Sequence, residues 1–302
     1  MNPVVLYFVS GESLYAGSGL ILLAIAVSKY IEQSWLLRLR NLAAWLGLAL
    51  MVMARPPFSW TVDAIFLAAF ALWLAVSSHW LKWRATNWRP VSTAFLLIAL
   101  VTLTAVEFSH RRMPAIVGVP ADHLVVIGDS ISSGIDPRVP AWPIVMQQLT
   151  GIPVKNLSRP GAQALEGPDM AEKVTPDDRV VLIEIGGNDL LGGVPSLTFN
   201  KNLDATLSKL AMPGRTIVMF ELPLLPNKIE YGEIQRHLAA KYGVWLIPKR
   251  YFVEVIGGPD ATSDGLHLSG VGTHRMAALV QKSLSRVPLS HIGERRAAIN
   301  GL

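Results

Sequence analysis

The chain contains no cysteine and little charge. Without cysteine it has no disulfides, no thiolate metal ligands and no cysteine nucleophile, and its compartment is left open. Charged residues are 16% of its 302 residues, where a soluble domain carries about 25%. The hydrophobic fraction is 51% and the mean hydropathy +0.38, so part of the chain is expected in lipid. At ~150 residues per domain the length suggests about two units. Residues before position 14 include no Lys or Arg, so the positive leader of a cleavable signal peptide is missing and the first apolar run is expected to stay as an anchor. Internal repeats and low-complexity tracts are also lacking.

A pI of 9.5 invites a nucleic-acid reading, which the charge map removes. Residues 1–112 hold nine Lys/Arg against Glu12, Glu32, Asp63 and Glu107, whereas the other 190 residues hold eighteen of each sign. The whole excess lies between apolar runs, as topogenic charge does, and no basic groove for phosphates is formed.

Four apolar runs are present, at 14–31, 36–54, 60–81 and 91–108, each near the ~20 residues needed to cross a bilayer. The third is the clearest. The second is the weakest, because Arg38 and Arg40 shorten it unless they snorkel to the interface. Trp35, Trp60, Trp80, Trp83 and Trp88 fall near the run ends, at headgroup level. Loop one carries Lys29, Arg38 and Arg40, and loop three carries Lys82, Arg84 and Arg89, against Arg55 alone in loop two. Positive-inside charge puts loops one and three in the cytoplasm, and an even number of spans puts both termini outside. Arg111 and Arg112 then lie on the outer side, against the rule. The expected organisation is a membrane region at 1–112, an enzyme domain at 113–287 and a polar tail at 288–302.

Beyond residue 112 short β-branched runs alternate with helical stretches. Strands are expected at 123–127, 180–185, 216–220 and 244–247, and helices at 142–149, 200–210, 230–242 and 271–285. This alternation marks an α/β unit with a parallel sheet, whose ligands gather at the carboxyl ends of the strands.

Four segments at those ends carry chemistry. Gly128-Asp129-Ser130 follows a strand and opens a helix, which exposes a serine whose own amide faces a developing oxyanion. Alone, this triplet is common as a turn or cap. Asp264-Gly265-Leu266-His267 can place a carboxylate beside an imidazole, the base and orienting acid that a serine hydroxyl needs. Asn188, in Gly186-Gly187-Asn188-Asp189, can donate its amide to a negative oxygen, and the Gly161 N–H is a further donor. Asp129 and Asp189 are expected to bond loop amides. His123, His237, His274 and His291 have no partner at a useful spacing and are expected to be structural or exposed.

Taken together, Gly128-Asp129-Ser130, Gly161, Gly187-Asn188-Asp189 and Asp264-x-x-His267 resemble the four blocks of the SGNH (GDSL) hydrolases, over about residues 122–285. The stretch Glu184–Leu190 looks most like the small thioesterase/lysophospholipase branch. The resemblance implies a three-layer α/β/α sandwich around a five-stranded parallel sheet, with Ser130 as nucleophile, His267 as base and Asp264 as its orienter. Ser130 N–H, Gly161 and Asn188 would hold the oxyanion. No metal or cofactor is implied, and the membrane region inherits nothing from the likeness. The expected protein is a serine esterase of the bacterial inner membrane, facing the periplasm, that removes an O-acyl group such as acetyl from an envelope glycan or lipid. The membrane helices would also dock a membrane-protein partner. Two other readings stand beside it: a lysophospholipase or acyl-thioesterase fed from the bilayer, and an inactive scaffold.

Overall fold

The structure, a computed structural model, describes residues 2–28, 34–54, 56–77, 85–114, 116, 123–224 and 228–284. Lys29, Arg55, His79, Trp80, Lys82, Trp83, Arg84, His291 and the expected tail lie outside the described residues. The chain forms two compact units, one built chiefly on Val4–Arg112 and the other on Met113–Pro223 and the chain from Glu230 onward.

The first unit is helical: α1 (Pro3–Val9), α2 (Glu12–Val27), α3 (Ser34–Ala54), α4 (Trp60–Ser77) and α5 (Ala85–His110). Among the described residues three segments are long and apolar enough to cross a membrane: Trp35–Ala54, Trp60–Ser77 and Trp88–His110. The run expected to be weakest, the second, is therefore sufficient. The first is the short one, because α2 has 16 residues and meets α1 at a 78° bend, so that α1 and α2 make a fourth crossing only as a broken span. The bend sits at Gly11, whose φ of 79° is a left-handed conformation that glycine adopts freely.

Leu14, Ile21, Phe66, Trp73, Leu96 and Leu100 fill the interior of this unit, while Leu22, Trp45, Ile65 and Ile98 are exposed on its outside. Helices apolar on both faces suit a lipid surround and do not suit a soluble bundle. α2 and α3 touch backbone to backbone. A Cβ on Gly17 would lie 2.6 Å from the Gly47 carbonyl oxygen, an approach that only small residues permit. Arg40 turns inward instead of snorkelling to the interface. It is 1% exposed, donates to the Ser77 carbonyl in the last turn of α4 at 2.9 Å and lies over the Trp73 ring. The free carbonyls at a helix C-terminus are partial negative charges, which gives this guanidinium an internal partner. Glu12 opens α2 and accepts a hydrogen bond from Arg111, just beyond α5.

The second unit is a parallel five-stranded sheet with helices on both faces. Its strands are β1 (Leu124–Gly128), β2 (Val154–Asn156), β3 (Val180–Glu184), β4 (Thr216–Phe220) and β5 (Trp245–Ile247), in the order β2-β1-β3-β4-β5. Its helices are α6 (Ser130–Ser133), α7 (Trp142–Thr150), α8 (Gly167–Ala171), α9 (Gly187–Gly192), α10 (Ser196–Leu210), α11 (Ile229–Tyr242), α12 (Lys249–Ile256) and α13 (Gly270–Leu284). β1 and β3 are buried on both sides, as a covered parallel sheet requires. Leu124, Val126, Leu182 and Val218 pack on one face with Trp142 of α7, Phe252 of α12 and Val280 of α13. α8 and α10 lie together, and Phe199 of α10 stacks on Tyr231 of α11 at 4.7 Å. This is the three-layer α/β/α sandwich expected.

Strand order reverses between β1 and β3, and the crevice for a ligand opens at that switch point. Register places Gly128 opposite Glu184 there. Gly128 is needed for close approach, since a Cβ would fall 2.8 Å from Ser132 Oγ and 2.9 Å from the Glu184 carbonyl oxygen. Gly128→Ala should therefore cost about 1–3 kcal/mol through overpacking. At about 2–4 °C per kcal/mol, thermal melting of the detergent-solubilised chain should fall by several degrees; an unchanged midpoint would show that the site has room.

Candidate active site

Ser130 is the first residue of α6, two residues beyond β1, and is half-buried. Asp129 caps the turn by accepting from Ile131 N at 2.9 Å. This is an Asx-type contact that holds the strand-to-helix corner closed. Asn156 and the chain after β2 are stitched to the same corner: Asn156 Nδ2 donates to the Ser132 carbonyl at 2.8 Å, and Arg159 N to the Gly128 carbonyl at 3.1 Å. Gly161 follows in an exposed turn with φ +74°.

Asp264 and His267 sit in a turn before α13. Asp264 Oδ1 accepts from the backbone N–H groups of Leu266 at 3.0 Å and His267 at 2.8 Å, while Oδ2 lies 2.6 Å from His267 Nδ1. Gly265, at φ +90°, makes the bend. His267 Nε2 is 3.1 Å from Ser130 Oγ, across 137 residues of chain. The hydrogen bonds from the His267 ring and from the two backbone groups hold the Asp264 carboxyl well below the usual carboxylate range. It stays ionised beside the imidazole.

Asn188 lies in the first turn of α9, after Gly186 at φ +111°. Its Nδ2 donates to the Ala162 carbonyl at 3.0 Å and to Asp129 Oδ2 at 3.2 Å. It therefore joins the residue after Gly161 to the residue before Ser130. The five expected site residues fall on loops at one edge of the sheet, and Ser130, His267 and Asp264 form one continuous hydrogen-bonded line. Asp189 accepts from Ala164 N at 2.8 Å, so Asp129 and Asp189 both bond loop amides as expected. His123 differs from expectation in having a partner, Asp178 Oδ1 at 2.7 Å. A recess beside Ser130 and His267, walled by Ile131, Ile135, Val139 and Leu268, holds about 10 Å³, room for about one water. Among the described residues no group of three or more His, Asp or Glu side chains is arranged to hold a metal.

The sequence reading left Glu184 without a role. It is fully buried at the end of β3, and its Oε2 accepts from Ser132 Oγ at 2.8 Å and from Asp129 N at 3.4 Å. Ser132 Oγ in turn accepts from Trp142 Nε1 at 3.1 Å. The available signal was an acid closing an otherwise wholly apolar central strand. Burial and the neighbouring Asp129 charge hold Glu184 well above the ordinary carboxyl range. Burial also pushes Asp129 up to about 6, against the opposing pull of the Ile131 amide and the His267 ring.

Residues 126–275 match the model of the GDSL-like lipase/acylhydrolase family. An arylesterase of Vibrio mimicus is 32% identical over 167 residues, covering 49% of this chain and 80% of that protein. Esterase TesA of Pseudomonas aeruginosa is 28% identical over 163 residues, with the same two coverages. Among solved structures, TesA superposes with a TM-score of 0.46 at 25% identity, covering 54% of this chain and 98% of that one. The helical first unit lies outside the family match. From residue 126 to residue 275 the chain belongs to the GDSL-like lipase/acylhydrolase family, and it is a serine ester hydrolase.

Proposed function

We propose that the protein is a membrane-anchored esterase that removes a short O-acyl group, acetyl above all, from an envelope glycan or lipid. The observation that carries the catalytic part is the line Ser130 Oγ–His267 Nε2 and His267 Nδ1–Asp264 Oδ2. In this reading Ser130 Oγ attacks the acyl carbonyl carbon while its proton passes to His267 Nε2. Asp264, ionised, stabilises the imidazolium and fixes its tautomer. The carbonyl oxygen becomes an oxyanion that accepts from Ser130 N–H, Gly161 N–H and Asn188 Nδ2. Collapse breaks the ester C–O bond, and the alkoxide leaves with the His267 proton. Water then gives a proton to His267 as it attacks the acyl-enzyme carbonyl carbon; the acyl–Oγ bond breaks, the acid leaves, and His267 returns that proton to Ser130 Oγ. The small recess beside the serine favours a short acyl group. A lipid acyl chain is favoured by a different observation: Ile135, which lines the recess beside the serine, is exposed.

The membrane part of the proposal rests on the three long apolar helices and on the loop charges. It places the protein in a bacterial inner membrane with the enzyme unit on the periplasmic side. The Glu12–Arg111 pair ties the start of α2 to the chain just beyond α5. It also gives Arg111, which breaks the positive-inside pattern, a local partner. A docking role for these helices toward another membrane protein stays a proposal from their number.

A fluorophosphonate probe should label the wild-type chain and not Ser130→Ala, and esters from acetyl to palmitoyl should show the highest kcat/KM at acetyl. Labelling that survives in Ser130→Ala removes the nucleophile assignment, and a palmitoyl optimum gives the lipid reading its place. Asn188→Ala should lower kcat by about 10²–10³ with little change in KM; a raised KM with intact kcat speaks for substrate binding instead. A periplasm-dependent reporter fused to the C-terminus should be active, and activity of a cytoplasm-dependent reporter there would reverse the orientation.

A further inference from the structure

We propose that Glu184 is a positioning residue for the oxyanion amide, acting through Asp129 on Asn188, an inference that rests on the role just proposed for Asn188. The geometry is a chain of contacts running from the core to the site. Trp142 Nε1 donates to Ser132 Oγ, Ser132 Oγ donates to Glu184 Oε2, and Glu184 Oε2 accepts from Asp129 N at 3.4 Å, which brings the two acid side chains together. Asp129 then holds both halves of the site: Oδ1 takes the amide of Ile131, next to Ser130, and Oδ2 takes Nδ2 of Asn188. If Asp129 swings, the serine corner and the oxyanion amide move apart.

Glu184 is suited to preventing that swing only as a neutral acid. Its other contacts are the Ser132 hydroxyl and the Asp129 backbone N–H, neither of which carries charge. Two carboxylates in contact in a dry interior cannot both ionise, so one proton is shared between them. Burial and the Asp129 charge keep that proton on Glu184. The proton then points to Asp129, and the ionised Asp129 accepts from Ile131, Asn188 and Glu184 together. Both hydrogens of Asn188 Nδ2 are engaged at rest, one by the Ala162 carbonyl and one, at the longer 3.2 Å, by Asp129. The second is the one an oxyanion takes over. A proton from Glu184 quenches part of the Asp129 charge and eases that exchange, with Asp129 still held in place beside Asn188.

A neutral isostere should therefore replace Glu184. Glutamine keeps an oxygen for Ser132 and Asp129 N and supplies an N–H for the Asp129 carboxylate. Methionine of similar length supplies neither. The test is a double-mutant cycle on the full chain in detergent micelles, with p-nitrophenyl acetate as substrate. Glu184→Gln should keep kcat within about 3-fold of wild type, and Glu184→Met should lower it about 10- to 100-fold with KM within about 2-fold, bounded by the full loss of one oxyanion donor. In an Asn188→Ala background, Glu184→Met should cost less than about 3-fold more, because the group it positions is already gone. Should Glu184→Met not give folded protein, Ser132→Ala, which removes the hydroxyl fixing Glu184, enters the same cycle with the same expected non-additivity. Equal losses in both backgrounds, or a Gln variant as impaired as the Met variant, would overturn the positioning role alone. Wild-type kcat in Asn188→Ala by itself would overturn the oxyanion role as well and this one with it.

Discussion

The parallel pairing of β1 with β3 is the constraint on which the site depends. These strands are not consecutive in the chain, and β2 lies outside them, so their carboxyl ends meet where the chain leaves in opposite directions. Register sets Gly128 against Glu184. From that pair the chain needs two more residues to reach Ser130 and four more to reach Asn188. A slip of one residue would turn every side chain of β3 to the other face and take Glu184 away from the serine corner. Gly128, which lacks a Cβ, is what lets the two ends come this close. The loop after β2 and the Asp264–His267 turn then complete a site whose floor is already fixed.

Much of this architecture was legible as pattern. β1, β3 and β4 are apolar, β-branched runs bounded by turns, and the structure moves their ends by a residue at most. β2 was not legible. Val154-Lys155-Asn156 is a three-residue edge strand, half-buried and largely polar, and its backbone partner defines it more than its composition does. α12 was also missed, since eight residues between a proline and a glycine give too few turns for a period to show. α10 begins four residues before its expected start, at Ser196 directly after Pro195, where a proline ahead of the helix was a usable signal.

The candidate site divides the same way. Asp264 and His267 are three residues apart, and the pair could be foreseen from local geometry. No spacing argument joins Ser130 to His267 across 137 residues, and the likeness to a family supplied that link. Glu184 closes β3 with no chemistry visible in the sequence, because a sequence does not say which face of a strand an acid occupies. The helical unit adds a buried charge. Arg38 and Arg40 shorten the second run unless they snorkel, and Arg40 instead turns inward. Hydropathy scores each run by itself, and the carbonyl that satisfies Arg40 belongs to the next helix.

That inward arginine has a consequence for how the helical unit is made. Arg40 is the sixth residue of the apolar segment Trp35–Ala54, nearer its start than its middle. Arg40 in α3 meets its carbonyl partner only at Ser77, the final residue of α4, which emerges from the ribosome later. With α4 beside α3 the charge is capped by the Ser77 carbonyl and covered by Trp73. The buried guanidinium therefore finds its partners only when the two helices are packed together, and a single side chain makes the burial of one helix depend on the other.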